Sequence, residues 1–179
     1  YLSDDISTGP IPTDTAEFEN AEDEAIKKLN FFINNKGKHS VDYFHKKLGK
    51  IMWNKCGMAR NSKDLNEAIK EISDLRNLFW NEVKVPGSAD EFNEELAKAG
   101  RVADFLELGE LFAKDALSRE ESCGGHFRDE HQTPEGEAVR NKDYQFVSAW
   151  EYKGDPKDAI LHKEELNYND IEVKERSYK

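Results

Sequence analysis

The chain is poor in several things that would have pointed to a ready answer. It has two cysteines, Cys56 and Cys123, far apart in sequence. That spacing is no disulfide framework, and a reducing compartment is the default reading. No run approaches the ~20 apolar residues of a membrane-spanning helix. Basic charge is also short: 26 Lys and Arg stand against 37 Asp and Glu, giving a net charge of −11 and a pI near 5.0. Nucleic acid and anionic membrane surfaces both demand a basic face, so neither is a main partner. No Gly-x-Gly-x-x-Gly follows a strand and no phosphate loop occurs, so no nucleotide site can be argued. The start, Tyr1-Leu2-Ser3-Asp4-Asp5, has neither the charged nor the apolar region of a secretory signal. It lacks an initiating Met and begins on an aromatic residue, from which the expectation is a segment of a longer protein.

What is present is a folding sequence. The 179 residues suit one domain with an appendage, and a chain of this size buries about 70% of its unfolded surface. Ten Phe, six Tyr and three Trp at regular spacings exclude disorder despite the charge. Residues 1–13 read as an irregular lead-in, broken by Gly9-Pro10-Ile11-Pro12. A first helix starts at Thr13 to Thr15, with acidic residues in its first turns and lysines later, as the helix dipole favours. Phe18, Ala21, Ala25, Leu29 and Phe32 form its expected buried stripe, and Gly37 ends it.

Ser40 caps a second helix, with Val41, Phe44, Leu48, Ile51 and Met52 inward until Gly57. A third begins at Asn61 or Ser62, with Leu65, Ala68, Ile72, Leu75 and Phe79 on one side, and stops at Val85-Pro86-Gly87. The fourth is expected from Ser88–Asp90 to Ser122, with a bend at Gly100. Its Phe105, Leu106, Leu108, Leu111, Phe112 and Leu117 cover more than one face, which makes it the centre of the bundle. Beyond Cys123-Gly124-Gly125 comes a polar loop. From Tyr144 to Tyr152 the period becomes two, followed by a turn at Gly154-Asp155-Pro156, a return strand over Ile160–Leu166 and an extended piece over Ile171–Tyr178. The expectation is a mainly α protein: a three-helix, spectrin-repeat-like bundle over residues 14–122, and a loop and β tail over 123–179.

The chemistry-bearing residues are few. Cys123, His126 and His131 are close in sequence, but a structural zinc site needs four ligands, and a solvated loop is the heavier reading. Cys123 follows a helix C-terminus, which does nothing to lower a thiol pKa, so an inert thiol outweighs a nucleophile. The carboxylate pairs Glu107/Glu110 and Glu120/Glu121 read as solvated helix faces. Phe79, Trp80 and Trp53 read as core aromatics. The alternating Tyr144–Tyr152 strand packs either on its own bundle or on another surface, and both readings stay open. One segment is denser than chance: Ser118-Arg119-Glu120-Glu121-Ser122-Cys123-Gly124-Gly125-His126-Phe127-Arg128-Asp129. A helix ends in charge, turns through two glycines and presents His126 and Arg128, a combination suited to docking on a second domain.

That segment resembles the Ala/Ser-Arg-x-Glu-Ser-Arg-Gly-x-His-x-Arg signature of succinate dehydrogenase and fumarate reductase flavoprotein subunits, and of L-aspartate oxidase. Arg119, Glu121, Ser122, Gly124, His126 and Arg128 match it and are the interdomain docking candidates. Leu106–Leu111 resembles the helix that leads into it, and the Trp150 strand and Ile171-Glu172-Val173 its closing strands. The resemblance covers Asn61 to Lys179, and His39–Asp42 and Leu48–Trp53 fit the same domain in non-classical bacterial forms. Cys123 departs from the pattern, which has Arg there.

The resemblance implies a domain that braces the flavin domain of the same chain and helps bind the iron–sulfur subunit, beside a membrane cytochrome b subunit. The intact subunit would interconvert succinate and fumarate through FAD, on the cytoplasmic, inner face of a bacterial membrane. The family's catalytic and flavin-binding residues precede this segment. None maps onto Tyr1 to Lys179, so no catalytic, cofactor-binding or metal residue is assigned. The competing expectation is a free-standing acidic helical interaction module without enzymatic activity.

Overall fold

The computed structural model describes residues 10–171. Four helices carry it: α1 (Ala16–Asn34), α2 (Val41–Lys55), α3 (Ser62–Glu82) and α4 (Glu94–Ser118). The short strands β1 (His39–Ser40), β2 (Ala59–Arg60), β3 (Val83–Lys84) and β4 (Phe127–Arg128) join helix ends. A hairpin of β5 (Phe146–Glu151) and β6 (Ile160–Glu165) forms the tail. A helical bundle with a small β tail is the architecture the sequence reading expects.

Helix starts follow side-chain chemistry. Ser40 accepts from the Tyr43 N–H at 3.3 Å, Asn61 from the Asp64 N–H at 2.8 Å and Asn93 from the Leu96 N–H at 3.0 Å, each satisfying a donor the helix cannot. Asn93 places the start of α4 at Glu94, later than Ser88–Asp90, because its amide also donates to the Pro86 and Ser88 carbonyls and fixes the preceding loop. The helix runs unbroken through Gly100 and stops at Ser118, short of the expected Ser122.

α2, α3 and α4 pack on one another around Phe44, Leu48, Leu65, Ile72, Phe79 and Leu106, all buried. Gly109 lets α2 and α4 close, since a Cβ there would lie 3.2 Å from Leu48. The β1–β3 pair is parallel, matching His39 with Val83. Gly37 passes so close to the Glu82 carbonyl that a Cβ would overlap it at 2.1 Å. Any side chain at Gly37 would therefore push this crossing apart.

The first helix departs from expectation. Of its apolar stripe only Phe32 is buried, stacked on Trp80 at 5.6 Å, while Phe18 and Leu29 are exposed. The stripe has the right period, but it is buried only at the last turn. Trp53, expected in the core, is 83% exposed, since it lies off the Leu48–Met52 face of α2.

The hairpin is antiparallel with Phe146 opposite Glu165 and Glu151 opposite Ile160. Its inward side rests on α4: Trp150 Nε1 donates to Asp115 at 2.8 Å, and the Lys114 ammonium lies 5.0 Å from the Trp150 ring centre. Of the two open readings of this strand, packing on its own bundle is the one seen. Of the extended piece over Ile171–Tyr178, all but Ile171 lies outside the described residues.

Candidate docking site

The end of α4 leaves backbone carbonyls without helical partners. Arg128 supplies them. Its Nη1 donates to Ala116 O at 3.0 Å, Leu117 O at 3.2 Å and Arg119 O at 3.3 Å, so a cation sits where the helix dipole is negative. Arg128 is 2% exposed. Its Nη2 reaches Ser62 Oγ at 2.7 Å and its Nε the Glu130 carboxylate at 3.2 Å.

Glu130 faces the other way. It accepts the Ser62 N–H at the opening of α3. Burial pushes its carboxyl up, but the Ser62 N–H and hydroxyl and the Arg128 guanidinium outweigh that and hold it at about 2. A cation at the C-terminus of α4 and an anion at the N-terminus of α3 thus meet in one ion pair.

The rest of the segment is fixed around that pair. β4 runs parallel to β2, matching Phe127 with Ala59 and Arg128 with Arg60. Ser122, fully buried, accepts from the Arg128 N–H at 2.8 Å. Glu121, 1% exposed, accepts from Arg119 Nη1 at 2.9 Å and from the Asn141 N–H at 3.0 Å. Arg119 also donates to Tyr144 O at 3.1 Å and Phe146 O at 3.3 Å, which ties the helix end to the hairpin.

His126 sits between Arg60 and α4. Arg60 Nη1 lies 2.9 Å from Nδ1. A guanidinium can only donate, so Nδ1 accepts and the ring proton is on Nε2, which donates to Arg119 O at 3.0 Å. Burial, and then the charges of Arg60, Arg128 and Arg119, hold the imidazole below the usual histidine range. Arg60 itself caps α2 through the Cys56 and Gly57 carbonyls, at 3.2 and 3.0 Å. Gly124 turns the chain with φ +58°, a conformation side chains resist, and open space surrounds it.

The structure therefore brings all six signature residues together, and it engages Arg119, Glu121, Ser122, His126 and Arg128 within the chain itself. Cys123 exchanges backbone hydrogen bonds with His126 across the turn. Both nitrogens of His126 are occupied, so the Cys123–His126–His131 grouping leaves no free imidazole at its centre. Sequence reasoning missed Arg60, Ser62 and Glu130, whose partners lie more than 60 residues away.

A second junction was also missed. Arg76 of α3 donates to Glu110 at 3.2 Å and grips Asp155 with two nitrogens, at 3.0 and 3.2 Å. Glu110 is 2% exposed, against the expectation of a solvated face, and burial pushes its carboxyl up more than Arg76 pulls it down. Asp155 is pulled below the carboxylate range by Arg76. Lys114 completes the junction by donating to three carbonyls, of Pro156, Lys157 and Ala159.

The family model described as fumarate reductase flavoprotein C-term matches residues 45–178. The fumarate reductase flavoprotein subunit of Helicobacter pylori (strain J99) is 28% identical over 142 residues, which is 79% of this chain and 20% of that protein. The chain spans about a fifth of the length of the curated relatives it matches. Among solved structures, a quinol–fumarate reductase with menaquinol molecules superposes with a TM-score of 0.74 at 20% identity, over 93% of this chain and 28% of that one, a likeness of fold. The Mycobacterium smegmatis Sdh1 complex in the apo form gives a TM-score of 0.71 at 25% identity, over 92% of this chain and 27% of that one. With the match spanning three of the four helices, the docking segment and the hairpin, the chain belongs to the family of C-terminal domains of succinate dehydrogenase and fumarate reductase flavoprotein subunits.

Proposed function

We propose that this chain is the brace of a flavoprotein subunit that interconverts succinate and fumarate, holding the FAD-binding part and helping it assemble with an iron–sulfur subunit. Electrons would pass between the flavin and quinone through the iron–sulfur clusters, next to a membrane cytochrome b subunit. The complex would lie peripherally on the cytoplasmic face of a bacterial membrane. No helix among the described residues is long and apolar enough to cross it. Residues 1–13 would lead in from the flavin domain, 14–122 form the bundle and 123–179 the tail.

The observation that carries this reading is the segment Arg119–Arg128. It locks the ends of α3 and α4 and the start of the hairpin into one rigid body around the open Gly124 turn. Rigidity is what a brace requires.

Three of the four helix starts offer a flavin no free donors. A dinucleotide's pyrophosphate needs free helix N–H groups. The starts of α2, α3 and α4 are closed by Ser40, Asn61 and Asn93, and α3 carries the Glu130 carboxylate as well. The start of α1 has no side-chain cap, and its first turn carries Glu17 and Glu19, which repel a phosphate. We assign no step of the redox chemistry to these residues.

The test is flavin content and complex stability in the intact subunit carrying His126→Ala or Arg128→Ala. Lower flavin retention or weaker assembly supports the reading, and unchanged values in both variants overturn it. The 179-residue chain alone should bind no flavin.

A further inference from the structure

Among the four helices only α2 is basic, with Lys46, Lys47, Lys50 and Lys55 against the single Asp42, in a chain of net charge −11. On the side where α2 meets α3, the two helices leave a trough of about 450 Å³. Its floor is apolar, made of Ile51 from α2 with Leu75 and Leu78 from α3. Lys47 and Lys50 stand on one rim and Asp74 on the other.

Ion pairs close one end. Lys55, one turn beyond Ile51, bridges to Glu67 at 2.7 Å and to Glu71 at 2.9 Å. That bridge commits all three of its charges. Lys47 and Lys50 form no ion pair among the described residues, and the Lys47 ammonium lies 4.8 Å from the centre of the Tyr43 ring. Two uncommitted cations therefore face one carboxylate, and the open part of the trough is net positive.

The chain does not fill this trough with α1. Phe32 is stacked on Trp80 and Lys28 pairs with Asp104 at 3.3 Å, which hold that helix against α4. The floor is also too short for a helix from a partner, which would seat anchors at i, i+3, i+4 and i+7. Leu75 and Leu78 span a single turn, and the Lys55 bridge blocks the next. An apolar hollow of this volume with a few polar groups at its edge has the dimensions of a small-molecule site.

We infer that the α2/α3 trough binds a single-chain aliphatic carboxylate, its tail along Ile51, Leu75 and Leu78 and its head between Lys47 and Lys50. The tail gains by leaving water for the apolar floor. The head stays at the rim, where the ammoniums meet it without being buried. Asp74 limits the ligand to one negative charge, because it would repel a second. The site uses none of the Arg119–Arg128 segment, so it stands apart from the flavoprotein reading.

The test is calorimetric titration of the 179-residue chain with decanoate and with decyltrimethylammonium, two amphiphiles with the same tail and opposite charge. Decanoate should saturate at one equivalent, and the cation should bind about tenfold or more weakly. Lys47→Glu combined with Lys50→Glu should reverse that preference. Both side chains are exposed, so the thermal melt of this double variant should match the parent. Decanoate should shift the methyl NMR signals of Ile51, Leu75 and Leu78. Binding that does not saturate, equal affinity for the two amphiphiles, or an unchanged preference in the double variant overturns the proposal. Shifts centred on Leu108 and Met52 instead would assign the ligand to the hollow between α2 and α4, which also overturns it.

Discussion

Arg128 and Glu130, two residues apart and 3.2 Å from Nε to Oε2, close opposite ends of two different helices. The guanidinium satisfies the last carbonyls of α4 and the carboxylate accepts the first N–H of α3. Each charge sits at the helix end whose dipole favours it, and each restrains the other. The ion pair is a clamp between helices more than a surface contact, because Arg128 is buried and makes five hydrogen bonds through its guanidinium.

Removing that cation should be costly. Arg128→Ala leaves the Ala116 and Leu117 carbonyls without their side-chain donor and the Glu130 carboxylate without its cation, and the expected loss is about 3 kcal/mol. Arg128→Lys keeps the charge but cannot span Ala116, Arg119 and Ser62 at once, so it should recover less than half of that loss. Urea unfolding of the 179-residue chain, compared through midpoints at constant slope, measures both.

His126 and Glu130 give acid sensitivity in two separate windows. His126 is held neutral in the folded chain, below its usual value, so the unfolded state binds the extra proton first. Its stability contribution is complete above about pH 6.5 and is lost as pH falls below that. Glu130 is held ionised at about 2, so its contribution is complete above its ordinary value of 4.5 and is lost between there and about pH 2. Chemical denaturation from pH 8 to pH 4 should show a step near pH 6 that disappears in His126→Gln. A step that persists in that variant rejects the assignment to His126.

The sequence is readable where one local rule decides the outcome. Leu65, Ala68, Ile72, Leu75 and Phe79 share one helical face and all are buried. The alternation over Phe146–Glu151 gives a strand, and Ser40 and Asn61 cap as their side chains allow. In α1 the same rule fails, because periodicity says which side is apolar and not whether anything lies beneath it. Glu110 was misread for a related reason: its partner Arg76 is 34 residues away, and only the packing of α3 on α4 shows it. The two-residue pairing of β2 with β4 has no local signal, since its partners are 68 residues apart and neither strand is long enough to show a period.

The Arg76–Glu110–Asp155 junction should behave as a buried charge network. Arg76→Leu strands Glu110 in the core and frees Asp155, with an expected loss of about 3 kcal/mol. Pairing it with Glu110→Leu should recover most of that loss, because the uncompensated buried carboxylate is then gone. Asp155 retains solvent and its Lys157 N–H partner. A double-mutant cycle on thermal or urea unfolding reads this directly, and a double variant no better than Arg76→Leu alone would reject the account.

Phe79 and Trp53 separate what composition grouped together. Phe79 is fully buried, with its ring 5.9 Å from Phe32 and 5.1 Å from Phe44, so Phe79→Ala leaves a cavity at the meeting of α1, α2 and α3. The expected cost is about 4 kcal/mol, a large part of a domain's total stability. Trp53 is 83% exposed and contributes to no aromatic pair among the described residues. Trp53→Ala should change the unfolding free energy of the 179-residue chain by less than about 0.5 kcal/mol. A cost above about 1 kcal/mol would mean that the tryptophan is covered in solution, by the chain or by a second copy, and repeating the melt at tenfold lower protein concentration separates those two.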